Sequence, residues 1–270
     1  MKPMITSRGL HVTYRWRQEP VLKGVDGTFD DKHLILGPNG SGKTTFFRAI
    51  CGLTNTTSGE IAIDGKNVEN LYATTGVISA NFREVYTLLA SNVYDLIMLY
   101  TDLSKGDCNL AFDIIKDMGL EVDFLKRSKL NELSAGQQKI VCTALALAMK
   151  AKHVLLDEPF EQLDPAKKSR MIKLLTSYKG AILVNTHETW LLKNLPEWTV
   201  FFMFEGLLYG PVSVKELLKA EISLKEEPKA LLKVKVADKT ISILEGHGAG
   251  TLLTSLENLD RIYELAEGTT

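Results

Sequence analysis

Apolar and polar positions alternate across residues 4–14 and again across 21–29, the period-two pattern of strands that bury one face. A short apolar run at 33–36 then leads into a glycine-rich segment. From Lys43 to about Cys51 the spacing is helical, and Gly52 closes the element. Alternation returns in GEIAID, residues 59–64, ahead of a turn at Asp64-Gly65. Between about 82 and 133 the apolar positions recur every three or four residues, first at Tyr86, Leu89, Val93, Leu96, Ile97 and Tyr100, then at Leu110, Ile114, Ile115 and Met118. That change of period predicts a helical subdomain inserted into a strand-bearing core.

Beyond the insertion, residues 135–149 read as a helix, 153–156 as a buried strand, 165–178 as a helix and 181–185 as another strand. Strands alternating with helices imply a parallel sheet covered on both faces. Strand-like segments over 199–208 and a short helix over 214–220 follow. The charged stretch SLKEEPK, 223–229, reads as a linker into a terminal unit with strands at 231–236 and 240–244. A helix in that unit would carry Leu252, Leu256, Leu259, Tyr263 and Ala266 on one face. So small a unit cannot hold a core of its own and is expected to dock on the main domain. The fold class expected is α/β, with an antiparallel β layer, the inserted helices and a small α+β appendage. The division expected is 1–222 for the main domain and 223–270 for the appendage.

Bulk properties narrow the function classes. Of the 270 residues, 45% are hydrophobic and 24% charged, which suits a folded globular chain rather than a disordered one. A net charge of -1 supplies no general attraction to phosphate backbones, so nucleic acid is not an expected partner. Cys51, Cys108 and Cys142 are odd in number and widely spaced, which suggests neither a disulfide framework nor a metal site and fits a reduced cytosolic compartment. The N-terminus turns polar too soon for a signal peptide. The apolar runs fall far short of the roughly 20 residues that span a bilayer, so any membrane role needs a partner chain.

Residues 37–44 satisfy G-x-x-x-x-G-K-[ST] between the apolar run and the following helix, the context that a P-loop requires. Glycines at 37, 40 and 42 let the backbone N–H groups of Gly37, Asn39, Gly40, Ser41, Gly42, Lys43, Thr44 and Thr45 turn inward as an anion nest, with Pro38, which has no N–H, within the loop. The helix dipole adds positive charge, Lys43 reaches the β and γ phosphates, and the Thr44 hydroxyl ligates Mg²⁺. HVLLDE, 153–158, delivers two adjacent carboxylates at a strand end; Asp157 would hold Mg²⁺ through water and Glu158 would polarise an attacking water. An acidic strand end alone is more often a solvated edge, and the P-loop in the same chain reverses that preference. LSAGQ, 133–137, contains a capping box of Ser134 and Gln137, which explains the serine but leaves Gly136 to an approaching anion. Asp164-Pro165 reads as an N-cap followed by proline at the first helical position.

Taken in order, GPNGSGKTT, LSAGQQ, VLLDEP, Leu163-Asp164 and NTH ending at His187 resemble the ATP-binding subunit of ABC transporters over most of residues 12–205. The resemblance implies a P-loop ATPase that pairs with a second copy or a paralogous subunit. ATP would then lie between the P-loop of one protomer and Ser134 and Gly136 of the other. It further implies that Tyr14, ahead of VLKGV, stacks on adenine, that Asp164 communicates across the dimer and that His187 contacts the γ-phosphate. A membrane-spanning permease would hold such a subunit at the cytoplasmic face.

Several positions depart from the family pattern. Where the family has a glutamine after its GYVPQ-like strand, this chain reads GVISANF, so the metal and lever contact falls to Ala80 or, with a shift of one residue, to Asn81 through a bridging water. Ala135 stands for the first signature glycine, Ile140 where arginine is common, and Phe160, Glu161 and Gln162 replace small residues. None of these removes a group that bonds phosphate, so hydrolysis is expected to survive. A single nucleotide-binding unit, with no zinc hook, iron–sulfur cysteine set or coiled-coil insertion, favours a transport motor, the alternatives being a soluble ATPase of the same family and a nucleotide-sensing module. The terminal appendage resembles the short tail of exporter-type ATPases more than a sugar importer's regulatory domain.

Overall fold

A computed structural model describes residues 3–72, 74–87, 92–236, 239–246, 251–256 and 259–263. The chain forms two compact units: unit 1 joins Met1–Val68 to Asn185–Thr270, and unit 2 is Glu69–Val184. The first stretch of unit 1 holds β1 (Ile5–Val12), β2 (Leu22–Phe29), β3 (Lys32–Leu36), α1 (Lys43–Ile50), β4 (Ser58–Ile63) and β5 (Lys66–Asn67). β1 pairs antiparallel with β2 on one side and β4 on the other, so the alternating stretches make the expected antiparallel layer. Asp64 and Gly65, with φ of 51° and 79°, supply the two left-handed positions of the tight hairpin between β4 and β5.

Unit 2 runs through β6 (Ile78–Ala80), α2 (Arg83–Tyr86), α3 (Val93–Ser104), α4 (Cys108–Asp117), α5 (Val122–Leu125), α6 (Ala135–Ala148), β7 (His153–Asp157) and α7 (Pro165–Ser177). The helical period over 82–133 therefore becomes four helices and a 3-10 turn at Leu130–Glu132; Leu89 lies outside the described residues. From Ile140 to Ala148 every residue of α6 is buried, which makes it the central helix of this unit. β6 and β7 are parallel, in register from Ile78 opposite His153 to Ala80 opposite Leu155. Two side-chain bonds tie the surrounding helices to β6: the Ser79 hydroxyl donates to the Ala146 carbonyl at 2.7 Å, and the Tyr86 hydroxyl donates to the Ala80 carbonyl at 2.6 Å.

The chain leaves unit 2 along β8 (Ala181–Thr186). It continues as a 3-10 turn at Thr189–Asn194, then β9 (Thr199–Phe204), β10 (Leu207–Ser213), α8 (Val214–Leu217), β11 (Ala220–Ser223), β12 (Leu232–Val236), β13 (Lys239–Glu245) and β14 (Thr251–Leu252). β3 pairs parallel with β9, and β9 pairs antiparallel with β10. An aromatic cluster fixes α1 on this framework. The Phe29 ring lies 4.7 Å from Phe201 and 5.7 Å from Phe46, and all three are buried.

The terminal unit differs from its expected form in two ways. β11 already pairs with β13 and β14, so its four-stranded sheet, ordered β12-β13-β11-β14, begins ahead of the charged stretch at 223–229 that composition marks as a linker. The expected helix gives way over Leu252 and Leu256 to a strand at Thr251–Leu252 and a 3-10 turn at Leu253–Ser255; residues 261–263 are helical, so Tyr263 lies on a helix as expected, and Ala266 lies outside the described residues. Edge pairing with β11 absorbs the backbone groups that a helix would have satisfied internally. The sheet docks within unit 1, where the Lys235 N–H donates to the Tyr209 hydroxyl at 3.3 Å.

Candidate nucleotide site

In unit 1 the loop between β3 and α1 is built on backbone that only glycine fits. Gly40 and Gly42 sit at φ of 79° and 109°. A Cβ on Gly37 would lie 2.3 Å from the Met203 carbonyl and 2.7 Å from Ser41 Oγ, so this glycine permits a close crossing of loop and β9. Lys43 is buried, and its ammonium donates to the Gly37 carbonyl at 2.7 Å and the Pro38 carbonyl at 3.0 Å. Among the described residues, Ser41 Oγ is buried with no hydrogen-bond partner in the protein. A buried cation, an unmatched hydroxyl and left-handed glycines at the start of a helix form a cradle that fits a polyphosphate.

Further expected residues of unit 1 border this loop. The Gly37 N–H donates to the carbonyl of Thr186 at 3.2 Å, which fixes the end of β8, and with it His187, beside the loop. Tyr14 shares a 3.2 Å hydrogen bond with the Thr45 hydroxyl, so its ring stands next to the first turn of α1. Trp16, which sequence reasoning passed over, stacks on Tyr14 with centroids 4.8 Å apart and planes 10° apart, and it is 79% exposed. Its place two positions after Tyr14 was the available signal.

A second unforeseen contact comes from the far end of the chain. Asp260 accepts a hydrogen bond from the Asn39 N–H at 3.1 Å, and the Leu259 N–H donates to the His187 carbonyl at 3.3 Å. Buried Leu259 and Ile262 hold this segment in place. Burial, with Glu205, Asp260 and Tyr209 adding negative charge nearby, pushes the Tyr263 hydroxyl up to about 12.

Unit 2 gathers the remaining candidates. Asp157 ends β7, and Glu158 follows at φ 45°, a left-handed position that a non-glycine residue adopts at a cost of about 1–2 kcal/mol. Asn81 is buried. Its Oδ1 accepts from the Asp157 N–H at 2.7 Å, and its Nδ2 donates to the Asp157 carbonyl and the Thr143 hydroxyl, each at 3.2 Å. These bonds run to the Asp157 backbone and to α6. Lys139 Nζ adds a further donor to the Asp157 carbonyl at 2.9 Å. Ala80 presents only a methyl group.

Both helix starts in unit 2 are capped as their sequences imply. The Ser134 N–H donates to Gln137 Oε1 at 2.9 Å, and the Gln137 N–H donates to Ser134 Oγ at 3.3 Å, completing the capping box of α6. The missing side chain at Gly136 has a local cause as well, since a Cβ there would lie 2.9 Å from the Gln162 carbonyl. Asp164 caps α7 by accepting from the Lys167 N–H at 2.9 Å and pairs with Lys167 Nζ at 2.8 Å. The Lys167 side chain first, and its N–H second, hold the Asp164 carboxyl below the usual range.

The pattern of the family described as ABC transporter matches residues 23–161, just over half of the chain. The energy-coupling factor transporter ATP-binding protein EcfA of Methanocaldococcus jannaschii is 31% identical, over 73% of this chain and 75% of its own length. The manganese transport system ATP-binding protein MntB of Bacillus subtilis is 28% identical, over 74% of this chain and 84% of its own. Among solved structures, a provisionally named cobalt transport ATP-binding protein, cbiO-2, superposes with a TM-score of 0.89 at 36% identity, covering 97% of this chain and 99% of that one. With a glycine cradle for polyphosphate in one unit and an acid-bearing strand end in the other, the chain belongs to the ABC transporter family, as an ATP-binding and ATP-hydrolysing subunit that powers a membrane transporter.

Proposed function

We propose that this subunit drives uptake of a small solute, with a transition-metal cation as the first candidate cargo. One observation carries the reading. The likeness to the cobalt transport protein extends through the C-terminal sheet rather than stopping at the shared ATPase core. Manganese, zinc and cobalt also appear in the names of relatives matched over 66% to 74% of this chain. Among the described residues no helix is long and apolar enough to cross a membrane, and a spanning permease supplies the path and holds the subunit at the cytoplasmic face.

Each site residue takes a definite task in this reading. The 37–45 loop and Lys43 bind the phosphates of ATP, and Tyr14 stacks on its base. Thr44 and Asp157 would hold Mg²⁺, which would supply positive charge to neutralise the phosphate oxygens. Glu158 polarises the attacking water, and His187 contacts the γ-phosphate. Ser134, Gly136 and Gln137 of a second protomer, this chain or a paralogue, complete the enclosure, and Asp164 links the two sites. Little covalent chemistry falls to the protein, so positioning and charge do the catalytic work, and a lone protomer turns over slowly.

The test is ATP-driven uptake in vesicles holding the subunit and its membrane partner, with radioactive cobalt, manganese and zinc offered in turn. Cation accumulation that requires ATP and disappears in Lys43→Ala supports the reading. ATP turnover stimulated by the partner without accumulation of any of the three would remove the cation assignment.

A further inference from the structure

We propose that Asn81 is a positioning residue for hydrolysis: its amide holds both the N–H and the C=O of Asp157, pinning the peptides on either side of its Cα, and thereby aims the Asp157 and Glu158 carboxylates. The proposal rests on the roles given above to those two acids. It departs from the lever role in that Asn81 never has to reach the metal.

β6 and β7 stay in register up to Ala80 opposite Leu155, and the Asn81 N–H still donates to the Leu155 carbonyl at 3.2 Å. One residue further the backbone ladder stops, and the Asn81 side chain takes its place. A primary amide offers an acceptor and two donors, the complement of one residue's backbone N–H and C=O. Asn81 spends its Oδ1 on the Asp157 N–H and one Nδ2 hydrogen on the Asp157 carbonyl; the other Nδ2 hydrogen goes to Thr143 on α6. These two groups belong to the two peptide planes that flank the Asp157 Cα, so holding both fixes the backbone angles of Asp157 and not merely its distance.

Two features turn that grip into a functional statement. The Asp157 carbonyl also accepts from Lys139, so both of its lone pairs are used and the peptide has no freedom to flip. Immediately beyond it, Glu158 is held at φ 45°, an arrangement that persists only where neighbouring structure over-determines it. Releasing the Asp157 peptide lets Glu158 relax toward ordinary backbone, which swings its carboxylate away from its working direction. Displacements of about 1 Å in such groups cost on the order of a hundredfold in rate. Glutamine cannot substitute here, because its extra methylene advances the amide by about 1.5 Å into the peptide it should straddle.

Steady-state ATPase kinetics on Asn81→Ala, Asn81→Gln and Asn81→Asp, with Glu158→Gln run beside them and thermal unfolding measured without nucleotide, test the proposal. The expected result is a ten- to hundredfold loss of kcat in Asn81→Ala and Asn81→Gln, with the KM for ATP and the half-saturating Mg²⁺ concentration within twofold of wild type. Asn81→Asp keeps the acceptor for the Asp157 N–H and loses the donors, so it should fall between, and it preserves the test if the alanine variant does not fold. Full or raised activity in Asn81→Gln would overturn the proposal, as would a kcat loss reversed by excess Mg²⁺ or one that tracks the unfolded fraction. If Glu158→Gln itself stays active, the assignment of the acids is what fails. If it is inactive while the Asn81 variants are unimpaired, the positioning role alone falls.

Discussion

The phosphate loop of unit 1 and the acidic strand end of unit 2 reach fixed geometry by opposite means. The loop is shaped by what its residues lack: glycine at 37 lets the β9 carbonyl approach, and glycines at 40 and 42 adopt left-handed backbone without strain. The strand end is shaped by added side chains, with Asn81 and Lys139 holding the Asp157 peptide while Glu158 carries the strain of a left-handed residue. A loop made by omission adopts its shape without backbone strain, whereas a strained acid keeps its aim only as long as its supports hold. Binding should therefore resist substitutions around the loop's periphery, and turnover should be sensitive to residues that never meet the nucleotide.

The largest effect that could break this contrast is at Glu158. Glu158→Gln should lower turnover by a hundred- to ten-thousandfold while ATP affinity holds, and gel filtration with Mg²⁺ and ATP should show an accumulated dimer. A monomeric, fully active variant would mean that the strand end is not the hydrolytic half. Lys43→Ala comes next and should act on the other side, weakening ATP binding by ~1.5–3 kcal/mol, about ten- to a hundredfold in a fluorescence titration. Unchanged affinity there would detach the loop from binding.

Smaller effects sharpen the contrast. Ser134→Ala removes a cap and should cost about 1 kcal/mol, a melting shift of roughly 2–4 °C for a chain of this size, with ATP affinity of the isolated protomer unaltered. An affinity loss in the monomer would place the capping box in the protomer's own binding half. Smallest of all, burial pushes the Cys142 thiol up to about 12 from an ordinary 9.0, so in the native chain it should resist alkylation at pH 8 that labels it after denaturation. Because the unfolded thiol ionises first, its contribution to stability is present below about pH 9 and lost as pH rises toward 12. Mass spectrometry of alkylated peptides distinguishes Cys142 from the partly exposed Cys51 and Cys108.

What could be read from the chain follows the same division. The glycine pattern, the helix caps at Ser134 and Asp164 and the two-residue hairpin at Asp64-Gly65 are local, their partners lying within a few positions, so spacing alone reveals them. The grip of Asn81 on Asp157 spans 76 positions and follows from strand register, which sequence periodicity does not carry. For the same reason Asn81 invites a reading as a shortened glutamine. In the terminal segment the apolar spacing over Leu252, Leu256 and Leu259 matches a helix, but among the described residues only 261–263 are helical, because an open edge of β11 decides for a strand at Thr251–Leu252.

The contact between Asp260 and Asn39 has a consequence in time. It joins residues 221 positions apart, with the whole of unit 2 threaded between them. A ribosome adding about 5–20 residues per second needs roughly ten to forty seconds to travel that distance. Until then the Asn39 N–H lacks the carboxylate that it meets in the folded chain. Asp260 thus reaches the loop after β8 and β9, whose Thr186 and Met203 border it at Gly37.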